Sequence, residues 1–272
     1  MTEASASSFD LSGRVAVVTG AVGRLGPVWS EALLAAGARV VGLDLPEARP
    51  DGRWTSLAAR WGQRVRVVRA DVRSRSELDT ACAEVRKTAG AATILVNNAG
   101  IDRPPGPGRT YTITDWPIAE FRDVLDVNVV GAFQATQAFA EDMAGAGGGS
   151  IINIGSLYAS VSPDARLYDH LGGNPPFLKP PAYGASKAAL INLTRYLAAH
   201  WAPRGIRVNA LSPGGVLGEQ DATFRAKFTN RVPMGRMAEA VDLHGPVVFL
   251  ASHASRYVTG IDLQVDGGFT LW

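Results

Sequence analysis

The sequence predicts an α/β fold: a parallel seven-stranded sheet with helices on both faces, a three-layer α/β/α sandwich. Three observations predict it. Short apolar, β-branched runs alternate with helix-length segments from end to end. The first run leads through a glycine-rich turn straight into a helix, the opening of a βαβ unit. No internal repeat, linker or break in composition divides the chain, so residues 1–272 read as a single domain.

Taken in order, residues 1–12 are polar and read as a loose lead-in. Arg14–Thr19 is a run suited to a strand buried on both faces, and the turn Gly20-Ala21-Val22-Gly23-Arg24-Leu25-Gly26 follows. A helix then runs to Ala36, with Pro27 tolerated in its first turn and Gly37 ending it. Arg39–Leu43 is a second strand finishing at Asp44, Val65–Ala70 a third closed by Asp71, and Ser76–Ala89 a helix. Ile94–Asn97 is a fourth strand entering Asn97-Asn98-Ala99-Gly100. Residues 102–116, rich in Pro, Gly and Thr, form a loop. Ile118–Met143 is a long helix interrupted near Asn128-Val129-Val130-Gly131, and Ser150–Ile154 a fifth strand. Pro181–Trp201 carries apolar residues at helical spacing, Ile206–Leu211 is a sixth strand, and Asp221–Asn230 a short helix. Ala238–Ala251 is helical and Ile261–Val265 is the last strand.

With 46% apolar and 19% charged residues, the chain has the balance of a globular protein rather than a disordered one. Net charge is +2 without a polybasic run, so nucleic acid is not the expected partner. A lone Cys82 allows no internal disulfide and suits a reducing compartment. The N-terminus lacks a basic and an apolar signal region, and no run is long enough to span a bilayer, so the expectation is a cytoplasmic protein without membrane contact. His200, His244 and His253 lack ligand spacing, and no metal is implied.

A strand, a glycine-rich turn and a helix start make an anion site, because backbone N–H groups and the positive end of the helix dipole point at a pyrophosphate. Gly20 permits the tight turn and Gly26 the close approach of helix and backbone. Asp44 ends the second strand 18 residues beyond Gly26, where a carboxylate accepts hydrogen bonds from an adenosine ribose and repels a 2′-phosphate. Tyr183 and Lys187 stand four apart on one helix face. A phenol titrating near ~10 is a poor proton shuttle at neutral pH, and an ammonium nearby lowers that value. Such a pair gives a proton to a carbonyl oxygen or takes one from an alcohol.

Over residues 12–270 these pieces resemble the compact branch of the short-chain dehydrogenase/reductase family. The resemblance rests on Thr19-Gly20 with Gly26, Asp71-Val72, Asn97-Asn98-Ala99-Gly100, Asn128-Val129-Val130-Gly131, Ile154-Gly155-Ser156, Tyr183 with Lys187, Ser212-Pro213-Gly214 and Asp266-Gly267-Gly268, in the family's order. It implies a Rossmann-type sheet, a nicotinamide cofactor and a catalytic tetrad of Asn128, Ser156, Tyr183 and Lys187. Tyr183 is then the acid/base, and Lys187 lowers its pKa and holds the nicotinamide ribose. Ser156 stabilises the developing alkoxide, and Asn128 holds a proton-relaying water. Asp71 and Val72 flank the adenine. Asn98, Ala99 and Gly100 meet the nucleotide, and Pro213, Gly214 and Val216 the nicotinamide. Gly23, Arg24 and Leu25 complete the phosphate turn. The Tyr–Lys interval resembles that of the ketone/alcohol enzymes rather than the enoyl reductases.

Two departures matter. Arg24 stands where the family has its second glycine, so a positive charge close to a phosphate leaves NADP open; Asp44 favours NAD. Ser156 and Tyr183 are 27 apart, and the intervening stretch, 157–182, is a Gly- and Pro-rich insertion whose two ends sit at catalytic residues. A loop so placed reads as a substrate cover. Arg166, Tyr168, His170, Asn174 and Lys179 are its polar candidates. Arg103 and Arg109 are further sites for an anion, and Trp116, Phe224 and Phe228 pack on each other or on a ligand.

These polar loops point to a hydroxylated small molecule, and the pattern is similar to that of sugar, sugar-acid and gluconate-type dehydrogenases. The rival readings are a carbonyl or oxoacyl reductase with a more apolar pocket, a nucleotide-binding regulator without catalysis, and a dehalogenase-like protein without cofactor. The apolar end, Phe269 to Trp272, is expected against another subunit, in a homotetramer of the kind common in the family.

Overall fold

Val15–Thr19 is buried along its whole length, and this strand, β1, lies inside the sheet. A computed structural model describes residues 7–103 and 111–272. The other strands are β2 (Arg39–Asp44), β3 (Val65–Arg69), β4 (Ile94–Asn97), β5 (Gly149–Ile154), β6 (Ile206–Pro213) and β7 (Asp262–Val265). They pair in parallel in the order β3-β2-β1-β4-β5-β6-β7, a doubly wound Rossmann-type sheet. From β1 the chain winds outward to β2 and β3, then returns to lay β4 on β1's other side. Such a reversal opens a crevice beyond the strands' C-terminal ends.

Helices α1 (Gly26–Ala35), α2 (Gly52–Trp61), α3 (Arg75–Ala89), α4 (Ile118–Leu125), α5 (Ala132–Gly145), α6 (Pro181–Trp201), α7 (Ala222–Thr229) and α8 (His244–Ala251) complete the chain. One face of the sheet is sealed by Trp29, Leu33 and Leu34 of α1 with Val247 and Leu250 of α8. The other is sealed by Leu78 and Val85 of α3, Phe139 and Met143 of α5, and Leu197 of α6. Burying each such side chain contributes roughly 1.5–3 kcal/mol, so both strand faces must be apolar.

Helix α2 was not expected from the sequence. Asp51 caps it, accepting from the N–H groups of Arg53 and Trp54 at 3.0 and 3.1 Å. Trp54 packs over Gly42 of β2, where a Cβ would lie 2.7 Å from the indole. The expected interruption between α4 and α5 is a π-turn, Asp126–Gly131. The expected helix from Ala238 starts instead as a tight 3-10 turn, Ala240–Leu243, before α8. The lead-in is not loose to its end: Leu11 is fully buried, its N–H donating to Ala36 O at 2.8 Å. Phe269 is buried, whereas Leu271 and Trp272 are 75% and 73% exposed. No helix among the described residues is long and apolar enough to cross a membrane.

Candidate active site

A cavity of about 890 Å³ opens at the C-terminal ends of the strands, and the glycine turn forms one wall. Gly20 has φ +61°, and a Cβ there would lie 2.8 Å from the Cα of Ala99. At Gly26 a Cβ would lie 2.3 Å from Ala21 O, so only glycine lets α1 start against the turn. Gly23 is less constrained, its nearest obstacle being Gly20 O at 3.3 Å, and Arg24 is accommodated at ordinary φ. The Arg24 guanidinium reaches across the cavity to donate to Val216 O at 2.7 Å, over Gly218. The side chain for which the sequence left a 2′-phosphate contact open is thus bonded to Val216 instead.

Both Asp44 oxygens accept backbone N–H groups, from Val22 at 2.8 Å and Leu45 at 2.9 Å. The carboxylate is thereby fixed at the mouth with free lone pairs. Asp71 is bound by Arg73, whose guanidinium holds its carboxyl below the usual range. Asp71 and Val72 line the cavity with Leu25, Ala99, Gly100, Pro213, Gly214 and Val216. Asn98 lines it too, but its side chain is engaged by the fold. Its amide donates to Thr19 O and Gly20 O, both at 2.9 Å, and its oxygen accepts from Trp29 Nε1 at 2.8 Å. The Thr19 hydroxyl accepts from Asn98 N and Ala99 N, so these side chains stitch β1 to β4 at the crevice.

Helix α6 carries Tyr183 and Lys187, and its buried face turns both inward. Lys187 Nζ donates to Ile154 O at 2.8 Å and lies 5.7 Å from the centre of the Tyr183 ring. Burial pushes the ammonium down to about 8. Burial, then the charge of Asp102, pushes the phenol up to about 12, while the neighbouring Ser156 hydroxyl pulls it the other way. The phenol is raised where a lowering by Lys187 was expected: desolvation dominates, and Ser156 and Arg24 are what pull it down. Ser156 Oγ accepts from Tyr158 N at 3.2 Å, which leaves its own proton for a partner at the phenol.

Asn128 sits in the π-turn, which widens the helix by one residue and directs the side chain inward. Its amide donates to Ile101 O and Ser186 Oγ, both at 3.0 Å, and its oxygen accepts from Ile101 N at 2.8 Å. At Gly100 a Cβ would stand 3.2 Å from Asn128 Oδ1 and 3.5 Å from Lys187 Nζ. A side chain at this position would press on Asn128 and merely touch Lys187.

The insertion folds as short 3-10 turns over the cavity and packs on α7 and the C-terminal turn through Leu167, Tyr168, Phe224, Phe228 and Phe269. His170 lines the cavity, its Nε2 3.0 Å from Asp221 Oδ1 but off hydrogen-bonding geometry. Arg166 and Asn174 correct the sequence reading. Arg166 pairs with Asp164 at 2.8 Å and its side chain is 85% exposed, and Asn174 is exposed outside the cavity. A long Arg beside an Asp two residues earlier closes on its neighbour. Arg103 pairs with Asp123, Trp116 is buried edge-on to Tyr111, and Phe224 and Phe228 stack at 5.7 Å. Arg109 lies outside the described residues.

Sequence reasoning passed over Asp102 and Tyr158. Asp102 forms an ion pair with Lys179, whose Nζ lies 5.3 Å above the Tyr183 ring. Tyr158 and Tyr168 share a hydroxyl–hydroxyl contact at 3.1 Å. Their signal was position alone: Asp102 two residues past Gly100, Tyr158 two past Ser156. Among the described residues no three His, Cys, Asp or Glu converge as metal ligands. Burial and Asp142 push the Cys82 thiol up to about 12, outside the reactive range.

A family model described as enoyl-(acyl carrier protein) reductase matches residues 20–270. Galactitol 2-dehydrogenase (L-tagatose-forming) of Cereibacter sphaeroides is 37% identical over 270 residues, 97% of this chain and 98% of that one. A gluconate 5-dehydrogenase from Burkholderia cenocepacia, solved in complex with NADP and tartrate, superposes with a TM-score of 0.83 at 32% identity, covering 97% and 98% of the two chains. A short-chain dehydrogenase from Leptospira borgpetersenii with bound NAD+ does so at 0.80 and 34%, covering 97% and 95%.

Proposed function

The chain belongs to the short-chain dehydrogenase/reductase family and is an oxidoreductase of CH–OH groups, and from that premise we propose that it interconverts an alcohol and a carbonyl on a sugar, sugar acid or polyol. The observation that carries this reading is the neighbouring of the Tyr183 and Ser156 hydroxyls in a cavity at the sheet's reversal. Two hydroxyls directed at one substrate oxygen suit a carbonyl–alcohol pair. The matched family description speaks of alkene reduction, but the relative's alcohol-based name agrees with the site.

The chemistry a bound nicotinamide would supply is hydride acceptance from the alcohol carbon, or hydride return to the carbonyl. The cavity's fit to such a cofactor rests on the Gly20 and Gly26 cradle and on Asp44, fixed with acceptors at the mouth. Arg24, Leu25, Asp71, Val72, Ala99, Gly100, Pro213, Gly214 and Val216 would complete its walls. In reduction the Tyr183 hydroxyl gives its proton to the carbonyl oxygen, and in oxidation the phenolate takes the alcohol's proton. Ser156 donates to the oxygen as its charge develops. Lys187, 5.7 Å from the centre of the Tyr183 ring, would hold the ribose and, when protonated, favour the phenolate. Asn128 orients Ile101 and Ser186 around the proton path to Lys187.

NAD is the proposed cofactor, because Asp44 repels a 2′-phosphate and Arg24 is turned to Val216; related structures hold either NADP or NAD+. The aromatic wall of Tyr168, Phe177 and Phe224 favours a second reading, reduction of a less polar ketone. We place the enzyme in the cytoplasm as a homotetramer, with the exposed Leu271 and Trp272 covered by a neighbouring subunit. Steady-state assays on sugars, sugar acids, polyols and ketones with both cofactors separate the two readings. Cofactor reduction by the hydroxylated compounds supports the first, and turnover confined to ketones favours the second.

A further inference from the structure

Asp102 and Lys179 tie the loop after β4 to the end of the insertion, beside the Tyr183 ring. Lys179 satisfies only one carboxylate oxygen; Oδ1 is shut off from solvent with no donor. The charge of Asp102 is felt at Tyr183, Lys187, Tyr158 and Tyr168 alike, so it pervades the space where a substrate must lie. On the facing wall Asp221 stands against His170.

Among the described residues, these cations around the space already have hydrogen-bond or ion-pair partners. Lys179 is bound to Asp102, Arg103 to Asp123, and Arg24 to Val216 O. Lys187 is buried and donates to Ile154 O. A substrate carboxylate would bring a second negative charge toward Asp102, and the two of these cations not paired with a carboxylate, Arg24 and Lys187, are held on backbone carbonyls. A substrate hydroxyl brings no charge and so meets no such repulsion.

We propose that Asp102, held by Lys179, selects an uncharged polyol over a sugar acid. This rests on the alcohol–carbonyl reading above and narrows its substrate class. Specificity then arises as much from repelling the wrong ligand as from holding the right one.

The test compares kcat/KM for matched pairs, threitol with threonate and galactitol with galactonate, in wild type, Asp102→Asn and Lys179→Gln. Wild type is expected to favour the alditol by roughly tenfold or more, the scale of one like-charge juxtaposition. Asp102→Asn narrows that ratio, chiefly through a lower KM for the aldonate, and Lys179→Gln, which bares the carboxylate, widens it. A merely structural role would move both substrates together. Preference for the aldonate in wild type, or an unchanged ratio in Asp102→Asn, overturns the inference and leaves the dehydrogenase reading intact. Should Asp102→Asn not fold, a ratio left unchanged or narrowed by Lys179→Gln overturns it. Failure of every polyol, sugar and sugar acid to reduce either cofactor overturns both.

Discussion

Lys187 Nζ lies 5.7 Å from the centre of the Tyr183 ring and donates to the Ile154 carbonyl at 2.8 Å, so the amine is fixed beneath the phenol by the end of β5. Its position is thus set by the sheet as well as by its own helix. The buried ammonium is held there at a cost, and that cost depends on pH.

With its pKa lowered from 10.5 to about 8, Lys187 is protonated in both folded and unfolded chains below pH 8, where the burial cost is full. Between about 8 and 10.5 only the unfolded chain keeps the proton, so stability rises with pH by up to about 3 kcal/mol. Tyr183 acts oppositely: from pH 10 to about 12 only the folded phenol keeps its proton, and stability falls again. Denaturant unfolding followed across pH is expected to show the first rise in wild type and to lose it in Lys187→Met.

Gly26 and Gly23 separate steric need from habit. A Cβ at Gly26 meets a backbone oxygen at 2.3 Å, whereas Gly23 has room to within 3.3 Å. Gly26→Ala is expected to destabilise by about 1–3 kcal/mol, as overpacking against backbone does, and to weaken cofactor binding. Gly23→Ala should stay within about 1 kcal/mol of wild type in the same thermal and denaturant unfolding.

Asp44 is expected to set cofactor choice. Asp44→Ser removes the charge that opposes a 2′-phosphate, and the NADP-to-NAD ratio of kcat/KM should rise by about tenfold or more, the scale of one surface-screened charge. An unchanged ratio would place the discrimination elsewhere.

Ser156→Ala is expected to lower kcat by about 10²-fold with KM little altered, because its hydroxyl acts on charge that develops only in the transition state. Stopped-flow cofactor binding should be unaffected.

The strands were legible because a parallel sheet covered on both faces demands unbroken apolar runs, as in Val15–Thr19. The glycine turn was legible because Gly20 and Gly26 answer to backbone collisions that no other residue avoids. Helix α2 was hidden because only Trp54 and Leu57 of its residues are buried, so its apolar stripe is thin. Within the insertion, polarity alone suggested Arg166 and Asn174, yet polarity does not say which way a loop residue points. Arg166 found Asp164 two residues away, while the apolar Phe177 and Leu171 came to line the cavity. Asp102 escaped notice because its importance lies in a long-range pairing with Lys179, 77 residues on.

The most direct test is the turnover of Tyr183→Phe with a polyol that wild type oxidises, alongside cofactor titration of both proteins. The account predicts a fall in kcat of about 10²–10⁴-fold with NAD(H) affinity within a few-fold of wild type. Turnover close to wild type in Tyr183→Phe would contradict it.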